Sequence, residues 1–283
     1  DSLLTFFLAI GLNMTSGQQP ATIRLFQITD FHLRTSPVDT LNGVVTDLSF
    51  RNVLKSLNPL EIKASDHILL TGDLAQDPDP ITYQRLKSYL KHLTCPVYCL
   101  PGNHDDPETM NKALIDADIR YESQIELGTW TLICLDSTIR KSPKGRLSLA
   151  QLDLLESNLL SAKGDHIMIA LHHHPIPCGS EWMDTMTVQN SDEFFHVLNS
   201  SSKVRAIVCG HIHQAFDRQQ DNIRIIGTPS TCFQFTPKSS DFSIDTIPPG
   251  YRVLELMADG NIRTEVVRLN ELPEGLDIGS SGY

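Results

Sequence analysis

Five short apolar runs in this chain each stop at a residue type that binds metal. The sharpest is Ala206-Ile207-Val208-Cys209, followed at once by Gly210-His211-Ile212-His213. Leu25-Phe26-Gln27-Ile28 leads to Asp30 and His32, and Ile68-Leu69-Leu70 leads to Gly72-Asp73. Val97-Tyr98-Cys99-Leu100 leads to Gly102-Asn103-His104-Asp105, and Ile167-Met168-Ile169-Ala170-Leu171 leads to His172. Short apolar runs bounded by turn residues predict buried strands. Ligands of open α/β sheets bind beyond the carboxyl ends of such strands. One Asp or His past a strand is common, but five strands with that ending describe a single metal site.

The segments between these strands predict helices. Asp47 opens one with Leu48, Phe50, Val53, Leu54 and Leu57 on its apolar side, stopped by Asn58-Pro59. Asp79 and Pro80 cap and start a second, with Tyr83, Leu86, Leu90 and Leu93 inward. A weaker helical stretch follows Asn103, to about Ala117. Trp130 to Leu135 is a further strand, and Ser148-Leu149-Ala150-Gln151 is a capping box for a helix with Leu149, Leu152, Leu155 and Leu159 inward. After a short helix around Phe194-Phe195, strands are predicted at Ile223 to Ile226, Tyr251 to Leu256 and Ile262 to Val267. This β-α-β-α-β order with a β-rich end predicts two sheets packed together with helices outside.

Residues 1–20 read as an N-terminal arm, with an apolar run too short to span a bilayer and no Lys or Arg before Arg24. Residues 21–270, which carry all five of these strand endings, are expected to form one domain, and 271–283 a C-terminal tail. The six cysteines, lying mostly in apolar runs, read as small buried hydrophobes in a reducing compartment, which points to the cytoplasm. A formal charge of −11 weighs against nucleic acid as the partner. It leaves room for a small anionic substrate, because metal charge reverses the field locally.

Aspartate, asparagine and imidazole form a donor set suited to Fe, Mn or Zn. Seven candidates (Asp30, His32, Asp73, Asn103, His172, His211 and His213) exceed what one tetrahedral ion needs, and two ions sharing a carboxylate fit the number. Paired ions roughly 3.5–4 Å apart suit phosphoester hydrolysis. Of the three adjacent histidines, strand alternation lets only one of His172 and His173 face the metal unless the strand ends there. Phe233, Phe235 and Trp182 are candidates for stacking on a base, with core packing or a subunit contact the alternatives for each.

The blocks Asp30-x-His32, Gly72-Asp73, Gly102-Asn103-His104-Asp105, His172 and Gly210-His211-x-His213 resemble the calcineurin-like metallophosphoesterases, in the family's order. The resemblance implies an α/β four-layer αββα sandwich, two mixed β-sheets flanked by helices. It also implies a dinuclear centre: Asp30, His32, Asp73 and His213 on one metal, with Asp73 bridging to a second held by Asn103, His172 and His211. His104 is then the catalytic residue that binds no metal, and substrate meets His32, Asp73, Asn103, His104 and His213. Iron is the first expectation for both ions, with manganese or zinc as alternatives.

The stretches Gly72 to Asp77, Leu171 to Pro175, Cys209 to Gln214, Ser230 to Phe235 and Asp245-Thr246-Ile247, with the closing Gly282-Tyr283, further resemble the bacterial class III 3′,5′-cyclic-AMP phosphodiesterases. That likeness implies hydrolysis of cyclic AMP to 5′-AMP by a hydroxide bridging the metals, with His104 protonating the 3′ oxygen. A monomer or homodimer acting on a small molecule, with no nucleic acid or membrane partner, is expected. Phosphodiesterase action on other small esters, and a non-catalytic metal-binding scaffold, are the alternatives. Where many family members carry an aspartate three residues past the bridging one, this chain has Gln76, then Asp77, either one a candidate to orient His104.

Overall fold

Strand residues alternate between two faces, and in this chain both faces of the central strands are buried. The computed structural model describes residues 22–57 and 61–282. The predicted arm at 1–20, with the helix stop at Asn58-Pro59, lies outside the described residues. In chain order the elements are β1 (Ile23–Ile28), β2 (Thr40–Leu41), β3 (Val44–Val45), α1 (Thr46–Ser56), β4 (His67–Thr71), α2 (Pro80–Leu90), β5 (Val97–Leu100) and α3 (Pro107–Ala113). Then come β6 (Ile119–Arg120), β7 (Gln124–Leu127), β8 (Trp130–Cys134), α4 (Leu149–Ser161), β9 (His166–Ala170), α5 (Glu181–Asp184), α6 (Ser191–Leu198) and β10 (Val204–Cys209). The chain closes with β11 (Phe216–Gln220), β12 (Ile223–Gly227), β13 (Gln234–Phe235), β14 (Ile244–Asp245), β15 (Gly250–Leu256) and β16 (Ile262–Arg268).

Two six-stranded sheets result, ordered β16-β15-β1-β4-β5-β6 and β11-β12-β10-β9-β8-β7. Each is mixed: β1-β4-β5-β6 and β8-β9-β10-β12 run parallel, while β15, β16, β7 and β11 add antiparallel edges. The alternation explains the layering. On β4, Leu69 joins an apolar cluster with Leu132, Met168, Ala170, Ala206 and Val208, which lies between the sheets. Its neighbours Ile68 and Leu70 turn outward to Phe50, Val53, Tyr83 and Leu86 of α1 and α2. On the second sheet Ile167 and Ile169 turn outward to Leu155, Leu159 and Phe194 of α4 and α6. This is the expected four-layer αββα sandwich.

Two helix details differ from expectation. Leu48 is 42% exposed, because it stands two residues before Phe50 and points away from the Phe50–Val53–Leu57 stripe. Leu149 is 76% exposed, being the first residue of α4, ahead of the turn that reaches the core. Only half of the capping box forms: Ser148 Oγ accepts from Gln151 N, but Gln151 Oε1 is taken by the Asp136 N–H. All six cysteines are buried and unpaired. Beyond β16 the chain runs back across the β2–β3 turn, where Asp277 N donates to Asn42 O. Among the described residues no helix is long and apolar enough to cross a membrane.

Candidate metal centre

All seven candidate ligands follow the carboxyl ends of the five strands, on one edge of the sandwich. Asp30 and His32 come from the loop after β1, Asp73 from that after β4, and Asn103 and His104 from that after β5. His172 follows β9, and His211 and His213 follow β10. Five of them, Asp30, His32, Asp73, His211 and His213, hold left-handed backbone at φ 56°, 48°, 51°, 67° and 47°. Residues other than glycine rarely adopt that region, though Asp and His tolerate it better than most. Such turns end β1, β4 and β10 abruptly.

The loops lock together through backbone donors and one buried acid. Asp30 N donates to Gly72 O at 3.0 Å, and both Asp30 carboxylate oxygens accept from His211 N at 3.1 Å, joining the two sheets. His104 N donates to Asp73 Oδ1 at 2.9 Å. Asp105 accepts from the N–H groups of Gly102, Leu74 and Ala75 and from Tyr83 OH, clamping the Asp73 and Asn103 loops. Burial, reinforced by the nearby Asp73 charge, pushes its pKa up to about 6 against those hydrogen bonds. Gly102 is required here on steric grounds, since a Cβ would stand 2.2 Å from Asp73 N and Oδ1.

Two donor groups share Asp73. Ligand atoms of Asp30, His32 and His213 converge, as do those of Asp30, Asp73 and His172, and those of His172, His173 and His211. Asp73 Oδ2 lies 3.7 Å from His32 Nε2 and 3.2 Å from His172 Nε2. His172 Nε2 is also 3.1 Å from Asn103 Oδ1. His32, Asp73 and His104 form a further group, with the His104 ring edge-on to His32 at 4.9 Å. His172 and His173 both come near His211 because β9 has already ended at Ala170, so strand alternation does not apply.

The donor chemistry fits metal. His172 Nδ1 is 2.8 Å from Thr71 O, a carbonyl that only accepts, so this nitrogen carries hydrogen. Its Nε2 then faces two oxygen acceptors, an arrangement that needs a proton or a cation. Burial above all, with neighbouring histidines, holds His211 and His173 well below the ordinary imidazole value. Burial likewise brings His32 down to about 3, despite Asp73. Neutral imidazoles are what divalent ions bind. The buried His211 Nε2 has no hydrogen-bond partner, an orphan that a metal would satisfy.

The residues that orient these ligands were mostly missed in the sequence. Gln76 does not serve His104 through its Oε1, which lies 2.8 Å from His32 Nδ1. Asp77 is likewise engaged elsewhere, by Arg34 Nε and Thr35 N. His213 Nδ1 donates to Phe233 O at 2.8 Å, and its ring stacks on Phe235 at 4.2 Å. Thr71 and Phe233 act through backbone carbonyls, which no side-chain pattern reveals. Ser137, on the loop after β8, bonds His173 Nδ1 at 2.8 Å.

Comparison with known proteins is consistent with this geometry. The family model described as calcineurin-like phosphoesterase matches residues 23–215. The chain is 41% identical to the 3′,5′-cyclic adenosine monophosphate phosphodiesterase CpdA of Escherichia coli (strain K12), covering 93% of this chain and 96% of that protein. The protein of the same description from Vibrio vulnificus (strain CMCP6) is also 41% identical, over 93% and 96% of the two chains. Among solved structures, a dimetal phosphatase from Danio rerio superposes with a TM-score of 0.56 at 15% identity, covering 87% of this chain and 98% of that one. At that identity the likeness is one of fold.

Proposed function

This chain belongs to the calcineurin-like phosphoesterase family, and from that premise we propose that it hydrolyses 3′,5′-cyclic AMP to 5′-AMP at the edge carrying Asp30 to His213. The observation that carries the reading is Asp73, whose one carboxylate oxygen stands between His32 and His172 and so belongs to both donor groups. The substrate follows from relatives named as cyclic AMP phosphodiesterases that align with nearly the whole chain.

In this reading Asp30, His32, His213 and Asp73 hold one divalent ion, and Asp73, Asn103, His172 and His211 hold the other. Iron is the first choice for both, and manganese and zinc also suit the donors. Two such ions, when bound, supply a water-derived nucleophile at neutral pH and positive charge for the phosphoryl oxygens. Water adds its oxygen to phosphorus, the bond from phosphorus to the 3′ oxygen breaks, and a proton must reach that oxygen. His104 delivers it. Its backbone is fixed on Asp73 Oδ1 and its ring stands against His32, which keeps the imidazole beside the phosphate. In this reading substrate also meets His32, Asp73, Asn103 and His213. The protein works in the cytoplasm, as a monomer or homodimer, on a small molecule rather than nucleic acid or membrane. Its formal charge of −11 supports that choice.

Phosphorus NMR with cyclic AMP tests the proposal, using protein stripped by chelation and resupplied with iron, manganese or zinc. Metal-dependent 5′-AMP as sole product is expected. No turnover with any metal, despite two bound ions, would overturn it.

A further inference from the structure

The metal centre opens on one side into a cavity of about 460 Å³, within the usual range of small-molecule sites. Asn103, His104 and His211 form its inner end. The rest of the wall has a different chemistry: Trp182, Met183, Met186 and Phe242, with Pro143 and Lys141 beside them. Binding a phosphate needs no such surface. A larger cleft, about 670 Å³ between α1 and the segment from Leu269 to Gly275, has no histidine, cysteine or aromatic residue in its lining.

The aromatic wall is rigidly tied to the ligands. Trp182 packs edge-on against Phe235 and Phe242, with ring centroids 5.0 and 5.3 Å away. Phe235 in turn lies flat on the His213 ring. Phe233 and Phe235 are themselves buried to 1% and 0% exposure and belong to the core. Of the three aromatic candidates in the sequence, only Trp182 is part-exposed and lines the cavity. Gly282 completes the rim, so the C-terminal segment, held by Ser280 Oγ on Asn42 Oδ1, contributes to the wall.

We propose that this cavity receives the purine base of the cyclic nucleotide, with Trp182 as the residue that binds and selects it; this rests on the function proposed above. A cyclic nucleotide carries its anionic phosphate and its flat base at opposite ends of a rigid ribose. The cavity wall joins the same two chemistries, with the metal donors Asn103 and His211 beside the indole of Trp182 and the part-buried thioether of Met186. The base stacks on the part-exposed indole, and Met186 adapts to its outline.

Fluorescence and kinetics together test this. The chain has two tryptophans, and Trp130 is fully buried with its Nε1 bonded to Met257 O. Adenosine added to the chelated protein is therefore expected to quench Trp182 emission saturably, with no such change in Trp182→Leu. In the metal-loaded enzyme, Trp182→Ala is expected to raise KM for cyclic AMP about 5- to 150-fold, the worth of one base–aromatic stack. Inhibition by inorganic phosphate and metal content should stay at wild-type levels, which also establishes that the variant is folded. Trp182→Phe should recover most of the loss. Cyclic AMP turnover with unquenched Trp182 and an unchanged KM in Trp182→Ala would overturn the base pocket alone. Saturable quenching by adenosine without cyclic AMP turnover would instead uphold the pocket and overturn the proposed reaction.

Discussion

The imidazoles of His32 and His213 meet Nε2 to Nε2 at 3.1 Å. His213 Nδ1 donates to the Phe233 carbonyl, and His32 Nδ1 faces Gln76 Oε1. Their Nε2 atoms therefore converge, with Asp30 Oδ1 3.4 Å from His213 and Asp73 Oδ2 3.7 Å from His32. Nitrogens and carboxylates at such distances need a proton or a metal cation among them. Chelation should accordingly lower the melting temperature. Free metal at a hundred times its Kd should restore about 2.7 kcal/mol, or roughly 5 °C for a chain of this size. Calorimetry of the stripped and reloaded protein measures this, and identical melting curves would refute a shared cation at these rings.

Gln76 Oε1, 2.8 Å from His32 Nδ1, leaves Nε2 as the nitrogen turned toward Asp73 and His213. Replacing Gln76 with Leu removes the acceptor for Nδ1 while preserving the side chain's bulk. Affinity at that site should fall about 10- to 100-fold, as for other groups that orient metal-bound histidines. Competition against a chelator of known strength gives the number. An unchanged affinity would mean that packing alone holds the ring.

His104 is assigned to proton transfer, not to ligation. His104→Ala should therefore lower kcat about 10²- to 10⁴-fold while two ions per chain remain bound. Elemental analysis beside steady-state kinetics separates the roles. Loss of an ion in this variant would place His104 among the ligands.

His172 gives the metal-free protein a specific pH dependence. Burial alone would lower its pKa, but Asp73, 3.2 Å away, overrides this and holds it up at about 9. Because the folded value exceeds the ordinary 6.5, the ion pair's stabilisation is complete below about pH 6.5. It is lost as pH rises through 9. Metal must displace the same proton, so apparent affinity should rise up to tenfold per pH unit between 7 and 9 on this account, then level off. Proton release on metal addition, followed by calorimetry in buffers of different ionisation enthalpy, checks it. Release that is absent at pH 7.5 would contradict the assignment.

The strand–helix order, the two-sheet layering and the metal-binding residue types were legible because they are local. Alternation on Ile68-Leu69-Leu70 sends side chains to two different cores, and a strand buried on both faces must lie between layers. The positions of Leu48 and Leu149 were misread because apolar residues in a helix's first turn carry no mark of whether the core reaches them. The left-handed φ of Asp30, His32, Asp73, His211 and His213 was invisible as well, since such backbone in these residues is imposed by tertiary bonds.

By itself the sequence determined which residues end the strands and what donor chemistry they bring. Only the tertiary structure decided how those donors share a site. Asp73 meets His172 across 99 positions because two sheets pack face to face, with Gln27 of one bonded to Cys209 O of the other at 3.0 Å. It also set His172 and His173 side by side past the end of β9, and chose Trp182 over the buried Phe233 and Phe235 to face the cavity. Each of these is a relation between distant segments, fixed by burying apolar faces together rather than by any residue's own preference.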